Sequence, residues 1–204
     1  MLHRSPTSTQ VGTPELRLFF ALWPEAGTRQ AIYKASRDAL AAADGKAVPA
    51  ENLHMTLVFL GRVAAEALPL VKSIAASVQA ERFRLELDRY GYWKEPQVLW
   101  CGTSRVSAAA TSLAAKLRER LMQAGFRPDS QDFIPHVTLA RKVRAPGALG
   151  GFGPLSWYVD EFALVSSVTG KTGSEYFPLA THALGARREY EIMGTQGLSH
   201  ERSA

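Results

Sequence analysis

Asn52-Leu53-His54-Met55-Thr56-Leu57-Val58-Phe59-Leu60-Gly61 holds a tetrapeptide, His54-Met55-Thr56-Leu57, that returns as His136-Val137-Thr138-Leu139. Each copy reads His, apolar, Thr, Leu, and each lies in an apolar run with strand character. In an extended strand the side chains at i and i+2 share a face, and those between them share the other. His and Thr therefore point together to one side, and Met55/Leu57 or Val137/Leu139 to the other. The apolar side can be buried while the His/Thr side lines a cleft. A lone strand histidine is more often structural than catalytic. Two copies separated by 82 residues (136 minus 54) point to a duplicated unit that brings two imidazoles to one place.

Outward from the motifs, the first half reads as a buried strand over Leu16–Trp23 stopped by Pro24, then a helix from Pro24 to about Ala43. The first motif strand covers Leu53–Leu60 and is expected to close at Gly61. A second helix follows over about 64–80. Phe83–Asp88 alternates apolar and polar residues, and Gln97–Cys101 is a further strand, with Tyr92-Trp93-Lys94-Glu95-Pro96 as connector. The second half opens with a helix over about 106–124, where Leu113, Leu117 and Leu121 recur every fourth residue and Gly125 ends it. His136–Arg141 is the second motif strand. A Gly/Pro-rich loop over 146–154 leads to one long strand, Tyr158–Ser167, and then to Glu175–Leu179. Residues 1–15 and 185–204 read as tails. This mixed order with hairpin-like pairs fits an α+β fold better than a doubly wound parallel sheet. The motifs stand at comparable places, so two similar lobes of antiparallel sheet plus helices are expected over 16–184, facing each other across a cleft.

Composition limits the setting. A chain with 46% apolar residues has material for a real core, and no apolar run approaches the roughly 20 residues of a membrane span. The N-terminal residues lack the apolar stretch of a secretory signal. A single cysteine, Cys101, rules out an internal disulfide and a thiolate metal cluster, so the cytoplasm is the expected location. A formal charge of +5 favours an anionic partner such as a phosphate ester or a nucleic acid.

Two imidazoles across a cleft suit phosphoryl chemistry that needs one base and one acid, because both titrate near neutral pH. Thr56 and Thr138 can each donate a hydroxyl hydrogen bond to a phosphate oxygen. No metal or other cofactor is required by such a set. A zinc site on His54 and His136 lacks carboxylate or thiolate partners nearby in sequence.

These paired motifs, with Arg17-Leu18-Phe19-Phe20-Ala21-Leu22 before them and Pro135 and Arg141 around the second, resemble the 2H phosphoesterase superfamily. Within it the likeness is to the RNA 2′,3′-cyclic phosphodiesterase family, also called 2′-5′ RNA ligases (LigT-like), from about residue 16 to 184. The resemblance implies a bilobal α+β fold with a pseudo-twofold axis and the active cleft between the lobes. It makes His54 the proton donor and His136 the proton acceptor that activates water. Thr56, Thr138 and Arg141 would bind the phosphate, and the product would be a 2′-phosphomonoester, with 2′-5′ joining as a minor reverse reaction. Arg141 stands at i+5 from His136, the wrong face of an ideal strand, so it needs a twist, a bulge or the strand end to reach the phosphate. Phe19 or Phe20 is a candidate for stacking on a base, and the run Arg141–Arg144 for guiding an RNA backbone. The expected partner is RNA ending in a 2′,3′-cyclic phosphate, or a small cyclic nucleotide, and the expected state is a monomer without membrane contact. Small cyclic nucleotides or 2′-5′ oligonucleotides as substrates, and an RNA-end-binding module without catalysis, are the rival functions.

Overall fold

The computed structural model describes residues 14–130, 132–170 and 174–185. Two four-stranded antiparallel sheets carry the fold. In the first, strands run in the order β10 (Ser174–Ala183), β9 (Glu161–Thr169), β1 (Glu15–Leu22), β3 (Met55–Ala64). In the second the order is β2 (Lys46–Ala47), β7 (His136–Arg141), β6 (Val98–Gly102), β5 (Arg89–Trp93). A separate pair joins β4 (Phe83–Leu87) to β8 (Leu155–Val159). The architecture is α+β with two similar lobes, and each main sheet holds one motif strand paired with a strand from earlier in the chain: β3 on β1, β7 on β6.

The core has a simple cause in the alternation of β1. Leu18, Phe20 and Leu22 are fully buried and belong to the main core, as do Leu113, Leu117 and Leu121 of α4 (Ala108–Gln123). The Ser107 hydroxyl caps α4 by accepting from the Ala110 N–H at 3.3 Å. At its other end Gly125 takes φ +86, a conformation that costs glycine little.

The structure departs from the sequence reading in five places. The single helix expected to Ala43 is two, α1 (Ala26–Ala35) and α2 (Arg37–Ala42), broken at Ser36. The buried Ser36 hydroxyl donates back to the Ile32 carbonyl at 2.8 Å, a local bond of the kind that bends helices. Helix α3 is shorter than expected, Leu68–Ser77. Gly61 does not close the first motif strand: at φ +77 it lets β3 continue to Ala64, opposite Glu15. Tyr92 and Trp93 belong to β5 rather than to a connector, and the long strand Tyr158–Ser167 is split at Asp160 into β8 and β9, which serve different sheets. The terminal tails fall almost wholly outside the described residues. Of those ranges, Glu15 opens β1 and Gly185 bridges to Glu81.

Candidate active site

Both motif strands show the alternation that their sequence demands. Met55 and Leu57 are buried while Thr56 and the preceding His54 are half-buried; Val137 and Leu139 are buried while His136 and Thr138 are half-buried. A second regularity is invisible in the sequence. On β3 the partners Phe20↔Val58 and Ala21↔Thr56 leave Leu57 as an extra, bulged residue. On β7 the partners Leu99↔Ala140 and Trp100↔Thr138 leave Leu139 as the extra one. The bulge falls on the leucine of each motif. A bulge shifts the in/out parity of everything after it. Arg141 lies opposite Val98, Thr138 opposite Trp100 and His136 opposite Gly102, so all three share one face of the sheet. Phe59, opposite Phe19, is turned onto the His54/Thr56 face in the same way.

The two imidazoles are held alike. His54 Nδ1 donates to the Asn52 carbonyl at 2.7 Å, and His136 Nδ1 donates to the Ile134 carbonyl at 2.7 Å. A carbonyl only accepts, so Nδ1 carries the hydrogen and Nε2 is left with a lone pair in the neutral ring. Burial lowers the His54 pKa from its ordinary 6.5 to about 4; the Asn52 carbonyl opposes this, and the charges of Arg141 and His136 add to it. His136 is also lowered, by burial first, with the Ile134 carbonyl opposing and Arg141 adding. Arg141 thus acts on both histidines, and His136 acts on His54, as members of one site.

Two hollows of about 740 and 750 Å³ flank this group. They share Thr56, Phe59, Pro96, Asp129 and Arg141; the first adds His136 and the second His54. Each histidine therefore opens on its own side of a common middle that contains Thr56 and Arg141. The Asp129 N–H donates to the Phe59 carbonyl at 2.8 Å and ties the approach to the second motif onto the first motif strand. Among the described residues no three His, Cys, Asp or Glu side chains gather as a metal site.

Phe19 and Phe20 have separate fates. Phe19 lines the hollow beside His54, its ring 5.1 Å from the imidazole. Yet only 2% of Phe19 is exposed, so it walls the hollow without a free face for a base, while Phe20 points to the opposite face, fully buried against Phe162; neither ring is placed to stack on a base as the sequence leads one to expect. The sequence reading overlooked Arg17, Trp23, Trp93 and Tyr176. Arg17 places its guanidinium 4.6 Å from the Phe59 ring and lines the His54 hollow, and Trp93 meets His136 at 4.5 Å. Arg17, Phe19, Ala21 and Trp23 fall at i, i+2, i+4 and i+6, so the alternation of β1, carried one residue past Leu22, could have found Arg17 and Trp23; nothing local announces Tyr176. Cys101 is buried, and burial pushes its thiol pKa up, which leaves it unreactive. No helix among the described residues is long and apolar enough to cross a membrane.

Comparison with known proteins agrees with this geometry. The RNA 2′,3′-cyclic phosphodiesterase of Escherichia coli K12 is 33% identical over 170 residues, 82% of this chain and 96% of that protein. The protein of the same name from Thermus thermophilus is 33% identical over 188 residues, covering 83% and 90%. The crystal structure of E. coli LigT complexed with 3′-AMP superposes with a TM-score of 0.77 at 32% identity, over 84% of this chain and 99% of that one. The sequence profile of the 2′-5′ RNA ligase superfamily matches residues 22–171, which include both motif strands, and the chain belongs to that superfamily.

Proposed function

We propose that this protein is a cyclic phosphodiesterase that opens the 2′,3′-cyclic phosphate at RNA ends and leaves a 2′-phosphomonoester. The observation that carries the reading is the pair of imidazoles, each anchored through Nδ1 and each with Nε2 available, around one cationic residue. The relatives named RNA 2′,3′-cyclic phosphodiesterase support the substrate class.

In the proposed reaction His136 Nε2 takes a proton from water as the water oxygen attacks phosphorus. The bond from phosphorus to the 3′ oxygen breaks, and His54 Nε2 gives its proton to that oxygen. Thr56 and Thr138 donate hydroxyl hydrogen bonds to the non-bridging oxygens, and Arg141 offsets the charge that develops there. The base is ready at neutral pH, since His136 is held neutral. The acid is not, since His54 resists protonation in the empty site. An anionic phosphate seated by Arg141 opposes the repulsion that Arg141 exerts on His54, so substrate binding itself favours loading the acid. The chemistry needs no Lewis acid. With an RNA 5′ hydroxyl in place of water as the attacking group, the same geometry opens the cyclic phosphate into a 2′-5′ phosphodiester as the 3′ oxygen leaves with the His54 proton, and water outcompetes that hydroxyl.

The test is to incubate purified protein with an oligonucleotide ending in a 2′,3′-cyclic phosphate, with excess chelator, and identify the product. A 2′-phosphomonoester formed at an undiminished rate is expected. A 3′-phosphate, or activity restored only by a divalent ion, overturns the scheme. A second reading keeps the chemistry on small cyclic nucleotides. It draws on E. coli LigT, which forms complexes with 3′-AMP and ATP. Comparing a cyclic mononucleotide with a decamer of the same end separates the two.

A further inference from the structure

The two half-sites match in their motif, their bulge and their Nδ1 anchor, but they differ in the rings around the imidazole. His54 is enclosed on three sides by Phe19 at 5.1 Å, Trp23 at 5.1 Å and Tyr176 at 5.0 Å. Only Trp23 is parallel to it, with 4° between the planes; Phe19 is tilted by 36° and Tyr176 stands at 73°. His136 has no parallel partner among the described rings: Trp93 meets it at 75° and Trp100 at 66°. The asymmetry has a direct electrostatic meaning. The face of an indole is its negative region and attracts a cation spread over a flat ring, most strongly where water is excluded. A ring lying flat on Trp23 is stabilised as imidazolium; a ring that meets its neighbours at steep angles has no such face-on partner.

We propose that Trp23 is a positioning residue for the acid. By stacking flat on His54 it holds that imidazole in line for the leaving oxygen and favours its cationic form during the reaction. This distinguishes the acid half-site from the base half-site in an otherwise symmetric cleft. It rests on the reading of His54 as proton donor. Trp23 touches no reacting atom and works through His54. The charged and titratable groups that share the surroundings of His54 are Arg141 and His136 from β7, Tyr176 from β10, Arg17 from β1, and Asp129. Arg141 and His136 oppose the cation, so the indole face supplies an attraction that part of the site lacks.

The experiment compares Trp23→Leu, which keeps an apolar group but loses the ring, with Trp23→Phe, which keeps a weaker face. Two substrates are used: the ordinary 2′,3′-cyclic phosphate, and the same ester with sulfur in place of the bridging 3′ oxygen, whose thiolate leaves without a proton. Trp23→Leu should lower kcat on the oxygen ester by roughly 3- to 30-fold. It should leave the sulfur ester within about twofold, and Trp23→Phe should recover most of the loss. Equal losses on both esters would mean that Trp23 only supports the fold, and no loss on either would mean that the stack is idle; both overturn the proposal. Titration of the His54 imidazole by NMR in the unliganded protein gives a readout that needs no turnover. Its pKa should be lower in Trp23→Leu than in Trp23→Phe, which differs from it chiefly in keeping a ring face, and an equal or higher value refutes the stack even if the cyclic ester proves not to be the substrate. If the wild type leaves both esters intact while the titration behaves as expected, the fault lies in the proposed function and not in the stack.

Discussion

Phe59 and Arg141 occupy the same position in the two half-sites. Each stands five residues after a motif histidine, and each is carried onto that histidine's face by a bulge at the motif leucine. Without the bulges both would point into the core. With them, one half-site presents an aromatic ring and the other a guanidinium, and both border both hollows. The duplicated backbone thus offers two equivalent platforms, and the sequence fills them with different chemistry.

Removing the Arg141 charge should therefore change both histidines at once. Arg141 lowers the pKa of each, so Arg141→Gln raises both in the free enzyme. The pH profile of kcat/KM should move to higher pH on both limbs. Loss of the proposed charged contact to the phosphate should also cut kcat/KM by roughly 10- to 100-fold at the optimum. A profile that falls in height without moving along the pH axis would place Arg141 outside the field of the two imidazoles.

The anchoring carbonyls fix the tautomer. Nitrogen NMR of the neutral enzyme should find Nδ1 protonated and Nε2 bare in both His54 and His136, because Asn52 and Ile134 each present an acceptor to Nδ1. A protonated Nε2 in neutral His136 would leave it no lone pair to take a proton from water.

His54 also makes stability depend on pH. Its folded pKa lies near 4 against an ordinary 6.5, so between these values the unfolded chain binds the extra proton. Stability is complete above the upper value and is lost as pH falls through the lower one, by on the order of 3 kcal/mol at most for a shift of this size. The urea midpoint should drop between about pH 7 and about pH 4.5, and drop less in His54→Asn. Equal drops in both proteins would show that His54 is freely protonated when folded.

How much of this could be read beforehand depended on whether the cause was local. The i, i+2 pattern of His54/Thr56 and His136/Thr138 follows from strand geometry alone, and so does the burial of Met55, Leu57, Val137 and Leu139. The helix of Leu113, Leu117 and Leu121 follows from its period. The bulges at Leu57 and Leu139 arise from pairing with β1 and β6, and no residue in either motif announces them. Arg141 was named only on resemblance, and its route to the cleft became plain from the register of β7 against β6. Phe19 and Phe20 are adjacent and chemically alike, and both are buried; only the parity of β1 separates the ring against His54 from the ring in the main core. Tyr176 reaches His54 from the far end of the chain, a contact that depends on the strand order of the whole sheet.

The central claim, that His136 is the base and His54 the acid of one phosphodiester hydrolysis, is tested most directly by leaving-group rescue. Rates of the wild type, His54→Ala and His136→Ala are measured on the oxygen-bridged cyclic phosphate and on its 3′-sulfur analogue. Each substitution should cost roughly 10²- to 10⁴-fold on the oxygen ester. The sulfur ester, which needs no proton to leave, should restore His54→Ala to near the wild-type rate and leave His136→Ala slow. Rescue of His136→Ala alone would exchange the two roles. Losses of less than tenfold in both variants would contradict the claim that these histidines catalyse at all.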